Sequence, residues 1–276
     1  MIKFDTYNRE ERAISAHLFR LLHERLEEKA ASPFGQFMSE LSKSSLTFGN
    51  GKVALAKLKF ENIAIYCEPS IVRDAYQSKR AERIAFMDDL TRLVMKHEGV
   101  SECRLYSELP EPLRNTKLTH PKQIKQKATL ANIPLSEGET AVYKAIQGMF
   151  NAKPNLVITV DNLLLVGETK FTELFDQAQL DRTVKMAEIW ANYLFKDFGF
   201  TEPPVYAVFK LGAQKSNPDI SWTTITKIAG KTYGSEDRTR IALEAALELL
   251  TPKPQNNEKE KEALKVVRIV TNATKN

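Results

Sequence analysis

Glu168-Thr-Lys170 sets a carboxylate and an ammonium two residues apart at the end of an apolar run, Leu163-Leu-Leu-Val166. Pro154-Asn155 sets a carboxamide at the start of the run before it, Leu156-Val-Ile-Thr-Val160. A spacing of two puts both side chains on one face of a strand. These types suit phosphoryl chemistry. Phosphodiester hydrolysis needs a nucleophilic water, relief of charge on the phosphate and a stabilised leaving oxygen. Magnesium keeps several waters, so one or two carboxylates can hold it. A lysine beside it orients the water or offsets transition-state charge. The plainer reading of Glu168 and Lys170 is a surface ion pair at a strand end.

The two runs flank Asp161-Asn162, which reads as a tight hairpin turn. A turn centred there sets Asn155 opposite Glu168, with Cβ atoms about 4.5–5.5 Å apart. Both runs are apolar on both faces, which implies a covered sheet. Asp161 lies at the far tip, roughly 20 Å away, and cannot stand in for Asn155. Ser136 and Glu139 have capping-box spacing, and Val142, Ile146 and Met149 form the stripe of the helix they open. Glu139 therefore has two readings, helix cap and metal ligand. A long helix is expected from about 172 to 198, ended by Gly199. Phe175, Ala178, Met186, Ile189 and Tyr193 form its stripe, and Gln179 and Arg182 are polar residues that could turn toward the cluster or a phosphate. A strand over 206–211 and a helix over 235–250 follow.

This ordered set resembles the PD-(D/E)xK nuclease superfamily, which includes many restriction enzymes. Glu168-Thr-Lys170 matches its E-x-K half, and Pro154-Asn155 matches its P-D half with asparagine for aspartate. Glu137 or Glu139 occupies the region of the family's helical glutamate, and Gln179 that of its helical glutamine. The resemblance covers roughly 136–250. It implies an α/β fold, a restriction-endonuclease-like mixed sheet flanked by helices, preceded by an α-rich α+β N-terminal region. It further implies a Mg²⁺- or Mn²⁺-dependent endonuclease of prokaryotic defence or restriction type, acting on DNA before RNA. Glu168, Lys170, Asn155 and Gln179 would be catalytic. Glu139, Asn155, Glu168 and the Thr169 carbonyl would be metal ligands. Asn155 leaves three explanations open: an engineered disarming change, a natural variant of lower metal affinity, or a relative that binds without cutting. A non-catalytic nucleic-acid-binding protein is thus the second reading, and an assembly module working through the N-terminal helix the third.

The rest of the chain bounds these readings. It has 276 residues, a net charge of +5 and a pI of about 9.0, a mild bias toward polyanions. Cys67 and Cys103 form no scaffold and no zinc spacing. His17, His23, His97 and His120 are scattered, and Trp190 and Trp222 read as core aromatics. The start of the chain is polar and no run is long enough for a membrane span, so a cytoplasmic location is expected. Helices are expected over 9–29 and 78–97, with Gly99 as a stop, and one or two strands over 53–67. Residues 110–134 read as a basic linker between an N-terminal region, 1–109, and a nuclease-like domain, 135–250. Arg114, Lys117, Lys122, Lys125 and Lys127 in it form a candidate phosphate strip or a solvated loop. A flexible break and a short last helix, 262–270, are expected over 251–276.

Overall fold

In the computed structural model, residues 11–114, 122–171 and 174–250 are described. Ten α-helices and six strands are found among them: α1 Glu11–His23, α2 Pro33–Leu41, β1 Thr47–Gly49, β2 Ala64–Cys67, α3 Ile71–Ser78, α4 Arg83–Glu98, α5 Glu111–Arg114, α6 Lys122–Leu130, α7 Glu137–Asn151, β3 Leu156–Val160, β4 Leu163–Thr169, α8 Gln177–Asn192, β5 Val205–Gly212, β6 Ile220–Ser221, α9 Trp222–Thr232 and α10 Arg238–Leu250.

The strands make one mixed sheet in the order β1-β5-β4-β3-β2, with β6 on β5. The hairpin has the expected register, with Leu156 opposite Gly167 and Val160 opposite Leu163. Asp161 at its tip takes a positive φ of 51°. Its carboxylate accepts the Lys59 and Glu61 backbone N–H groups, 2.7 Å each, which ties the tip to the preceding loop. Every residue of β3 and β4 is buried, because helices cover both faces. β5 runs parallel to β4, and Phe209 occupies the space a Cβ at Gly167 would need.

Alternation divides the core in two. Val157, Leu164, Val166 and Tyr206 face α3 to α8. Leu156, Ile158, Leu165 and Phe209 face α1, α2, α9 and α10. Both cores draw on both halves of the chain, so the boundary expected at 109 does not separate two units. β1 and β2 are edge strands of the same sheet as the hairpin. The expected linker is also corrected. α5 and α6 lie in it, and their Leu113, Ile124 and Ala128 are buried in the first core.

Other elements differ in extent. α1 ends at His23, and 3₁₀ turns carry the chain to Ala31, with Arg25 and Lys29 at positive φ. α4 begins at Arg83 and ends as expected at Gly99, whose φ of 65° suits glycine. Only 64–67 of the 53–67 stretch is a strand. The long helix is shorter, running from Gln177 to Asn192, and a 3₁₀ turn follows before Gly199. Its buried side is Thr183, Met186, Ala187, Ile189, Trp190 and Ala191, rotated from the expected stripe. α9 was not expected, although Ser221 caps it through the Thr224 N–H. The expected helix over 262–270 lies outside the described residues.

Candidate active site

Glu168 stands at the end of β4 with 5% of its surface exposed. The sheet holds its backbone, and α8 supplies its polar partners. Gln179 and Thr183 are one turn apart on α8 and so share a face. The Gln179 amide donates to one Glu168 carboxylate oxygen at 3.0 Å, and the Thr183 hydroxyl donates to the other at 2.7 Å. Asp176 caps α8 by accepting from the Ala178 N–H at 3.1 Å. The first turn of a helix carries partial positive charge, which favours a carboxylate beside it. Hydrogen bonds to a charged form offset the cost of burying it.

Asn155 lies opposite Glu168 by continuation of the hairpin register, and its side chain is at work in the sheet. Its Oδ1 accepts the Thr169 backbone N–H at 3.0 Å, and its own backbone oxygen accepts the Glu68 N–H at 3.2 Å. Asn155 thereby joins the ends of β2, β3 and β4 where the backbone ladder stops. Lys170 is half-buried and has the strand parity of Glu168. Its backbone is fixed on both sides: its N–H donates to Leu211 O at 2.8 Å, and its carbonyl accepts Trp222 Nε1 at 3.0 Å. The Thr169 hydroxyl is buried without a hydrogen-bond partner among the described residues.

Glu139 does not join this group. It is also 5% exposed, but Arg104 grips its carboxylate with Nε and Nη2. It also closes the capping box of α7 by accepting the Ser136 N–H at 2.8 Å. Arg104 and the cap hold its carboxyl below the usual carboxylate range. Glu139 and the Asn151 end of α7 are about 18 Å apart along the helix. The cap is what Glu139 does, and the ligand reading is withdrawn.

Glu168 opens on a groove of ≈ 850 Å³. α7 and α8 form its walls, and Val94, His97 and Glu98 at the end of α4 close it. Lys144, Lys153, Arg182 and Lys185 line it, with Glu98 and Asp181 among its acids. Arg182 is exposed and lies 4.0 Å from Asp176. Lys117 lies outside the described residues, as does the side chain of Lys122. Lys125 and Lys127 sit on α6 rather than on a loop, and Lys125 lines a smaller hollow together with Lys144.

No family model, curated protein or solved structure matches the chain. The site therefore rests on its own geometry. Among the described residues, no three His, Cys, Asp or Glu side chains gather as a metal-binding group. By strand register the Glu168 carboxylate and the Asn155 carboxamide share a face, and both are hard oxygen donors that already accept hydrogen bonds. They fit a hard divalent cation that takes the rest of its shell from water and from substrate phosphate.

Two residues were missed in the sequence. Thr183 had a signal, since it lies one turn after Gln179 and interrupts an apolar stripe. Lys210 had none, because only the parallel β4–β5 register sets it beside Glu168. Its Nζ donates to Asn217 O at 3.1 Å and lies 6.0 Å from the Phe175 ring centroid. Asp219 accepts the Lys210 backbone N–H at 2.8 Å, and burial raises its carboxyl above the usual range.

Proposed function

We propose that the chain is a metal-dependent phosphodiesterase, a nuclease of PD-(D/E)xK type. The observation that carries this reading is the buried Glu168 carboxylate, held by Gln179 and Thr183 and open to a groove with basic residues in its walls. The helix–hairpin–helix–strand order of α7, β3, β4, α8 and β5, with β5 parallel to β4, supports the same reading. DNA before RNA as substrate, and a restriction or defence setting, rest on the resemblance of Pro154-Asn155 and Glu168-Thr-Lys170 alone.

Glu168 and Asn155 are the residues that would hold the cation. When bound, Mg²⁺ or Mn²⁺ would supply charge relief at the phosphate and a water of lowered pKa. Gln179 and Thr183 keep the Glu168 carboxylate in one orientation, so its charge is already placed when substrate arrives. Lys170, with its backbone pinned at both ends and the strand parity of Glu168, is the residue that would offer an ammonium to the phosphate. Asn155 fixes the spacing of the two strand ends through the Thr169 N–H.

The test is cleavage of plasmid, single-stranded DNA and RNA with Mg²⁺ or Mn²⁺. Asn155→Asp keeps an acceptor for the Thr169 N–H and adds a negative charge, so it raises the rate. Lys170→Ala lowers it at least ~10²-fold, the scale of losing one transition-state partner. Inertness of both the parent and Asn155→Asp on all three substrates, or cleavage that survives Lys170→Ala, removes this reading.

The use of the Asn155 Oδ1 on a backbone N–H favours a second reading, a nucleic-acid-binding protein that does not cut. Binding without cleavage in both forms selects it.

A further inference from the structure

The groove says more about the substrate than the carboxylate does. Glu168 is almost wholly buried, so a phosphate reaches it only through the groove. The groove's ≈ 850 Å³ lies in the range of small-molecule sites. A volume of that size suits a single nucleotide. Its inner part is apolar, lined by Val94, Met149, Met186 and Ile189. A paired base keeps its faces in its own stack and has no use for such a lining. An unpaired base does, since its faces need cover.

The charges are arranged to match. Lys144 on α7 and Lys153, two residues past its end, are exposed and make no ion pair among the described residues. Lys144 borders both the groove and the smaller hollow that Lys125 lines, so three lysines form one track past the groove mouth. Arg182 stands on the opposite wall. Lys185 is committed to Glu98 at 3.1 Å and adds little to the field.

We infer that the groove admits an unpaired nucleic-acid strand, its phosphates following Lys125, Lys144 and Lys153 while a base turns inward against Met149, Met186 and Ile189. This rests on the reading of Glu168 as the reacting end. Single strands already lack the pairing that a duplex must surrender to deliver a base. A cationic track beside an apolar slot is sequence-tolerant, because phosphates and base faces recur in every nucleotide.

Gly148 provides the test. It is exposed, lines the groove, and a Cβ there meets nothing within 4 Å. Gly148→Trp adds bulk to the groove wall while leaving Glu168, Lys170 and Asn155 unsubstituted, and it replaces a helix-interior glycine. The full chain is titrated with a short labelled oligodeoxynucleotide, the matching oligoribonucleotide and the DNA duplex at fixed salt. A circular-dichroism melt checks that the variant is folded, and Gly148→Leu is the alternative if it is not. The expected result is at least ~tenfold tighter binding of a single strand than of duplex, with that preference lost in the filled variant. Equal or tighter duplex binding, no binding at all, or single-strand binding unchanged by a folded filled variant overturns the inference. Lys170-dependent duplex cleavage with no effect of filling leaves the nuclease reading standing without it. Groove-dependent strand binding with no cleavage in Mn²⁺ by either the parent or Asn155→Asp leaves the groove inference standing and removes the nuclease reading.

Discussion

Two glutamates on the same side of the sheet are equally buried and differently used. Glu139 and Glu168 each keep 5% exposure. Glu139 is answered by a guanidinium and by the cap of its own helix, so its charge is neutralised where it stands. Glu168 is held by an amide and a hydroxyl, and it faces a cavity. Neutral donors such as these steady an anion without cancelling it, whereas the guanidinium at Glu139 cancels the charge it holds. A buried acid is therefore informative through its partners and its access, more than through its burial.

The largest effect expected from this contrast is a split between activity and stability at Glu168. Glu168→Gln keeps the shape, and the Gln179 amide can turn its oxygen toward the new NH₂ group. Cleavage of the preferred strand falls at least ~10²-fold. The stability measured by urea denaturation changes by no more than about 1 kcal/mol, or rises, because a buried charge has been removed. A loss of several kcal/mol with activity retained would make Glu168 a second Glu139 and erase the contrast.

Removing the partner of Glu139 gives the opposite split. Arg104→Ala leaves a buried carboxylate with the cap alone. The expected loss is about 1–3 kcal/mol, at the low end because the Arg104 side chain is 36% exposed and its charge is partly screened. The folded-state pKa of Glu139 is depressed, first by the Arg104 hydrogen bond. Its contribution to stability is thus present above its ordinary value of 4.5 and is lost as pH falls through the lower folded value. The variant should lose stability at neutral pH and show a flatter decline with acid below about pH 4.5. Cleavage or strand binding should persist whenever the variant is folded. An unaltered acid limb in urea titrations would mean that Arg104 does not hold Glu139 in solution.

The sequence carried the local half of this site and hid the rest. The hairpin register, the α7 capping box and Gln179 beside Glu168 were legible, because each depends on spacing within one or two neighbouring elements. The partition into domains was not. β1 and β2 lie far from the hairpin in sequence and join its sheet through pairings that no local pattern encodes. The proline-marked stretch around α5 and α6 read as a linker, since the signal of Leu113, Ile124 and Ala128 is sparse in so basic a segment. Lys144 and Lys153 carry no local signal in the sequence, and only the packing of α7 against α8 brings them to one groove. The phase of α8 failed for a related reason. Thr183 is buried to serve Glu168, so the stripe includes a polar residue that hydropathy leaves out.

Thr183 gives the smallest of the expected effects and the finest test of the neutral cradle. Thr183→Val removes the hydroxyl and keeps a β-branched side chain of similar size in a helix that tolerates it. Glu168 loses its 2.7 Å donor and keeps the Gln179 amide. A hydrogen bond to a charged group is worth about 1.5–3 kcal/mol, and part of that reappears as contact with water in the groove. The expected outcome is roughly a tenfold fall in kcat with little change in KM, because the carboxylate is less well placed and the strand still binds. Thr183→Ser restores the donor and should recover most of the rate. If Val and Ser lower the rate equally, the methyl packing of Thr183 matters and its hydroxyl does not. Thr183 would then act on Glu168 through packing and not through its hydrogen bond.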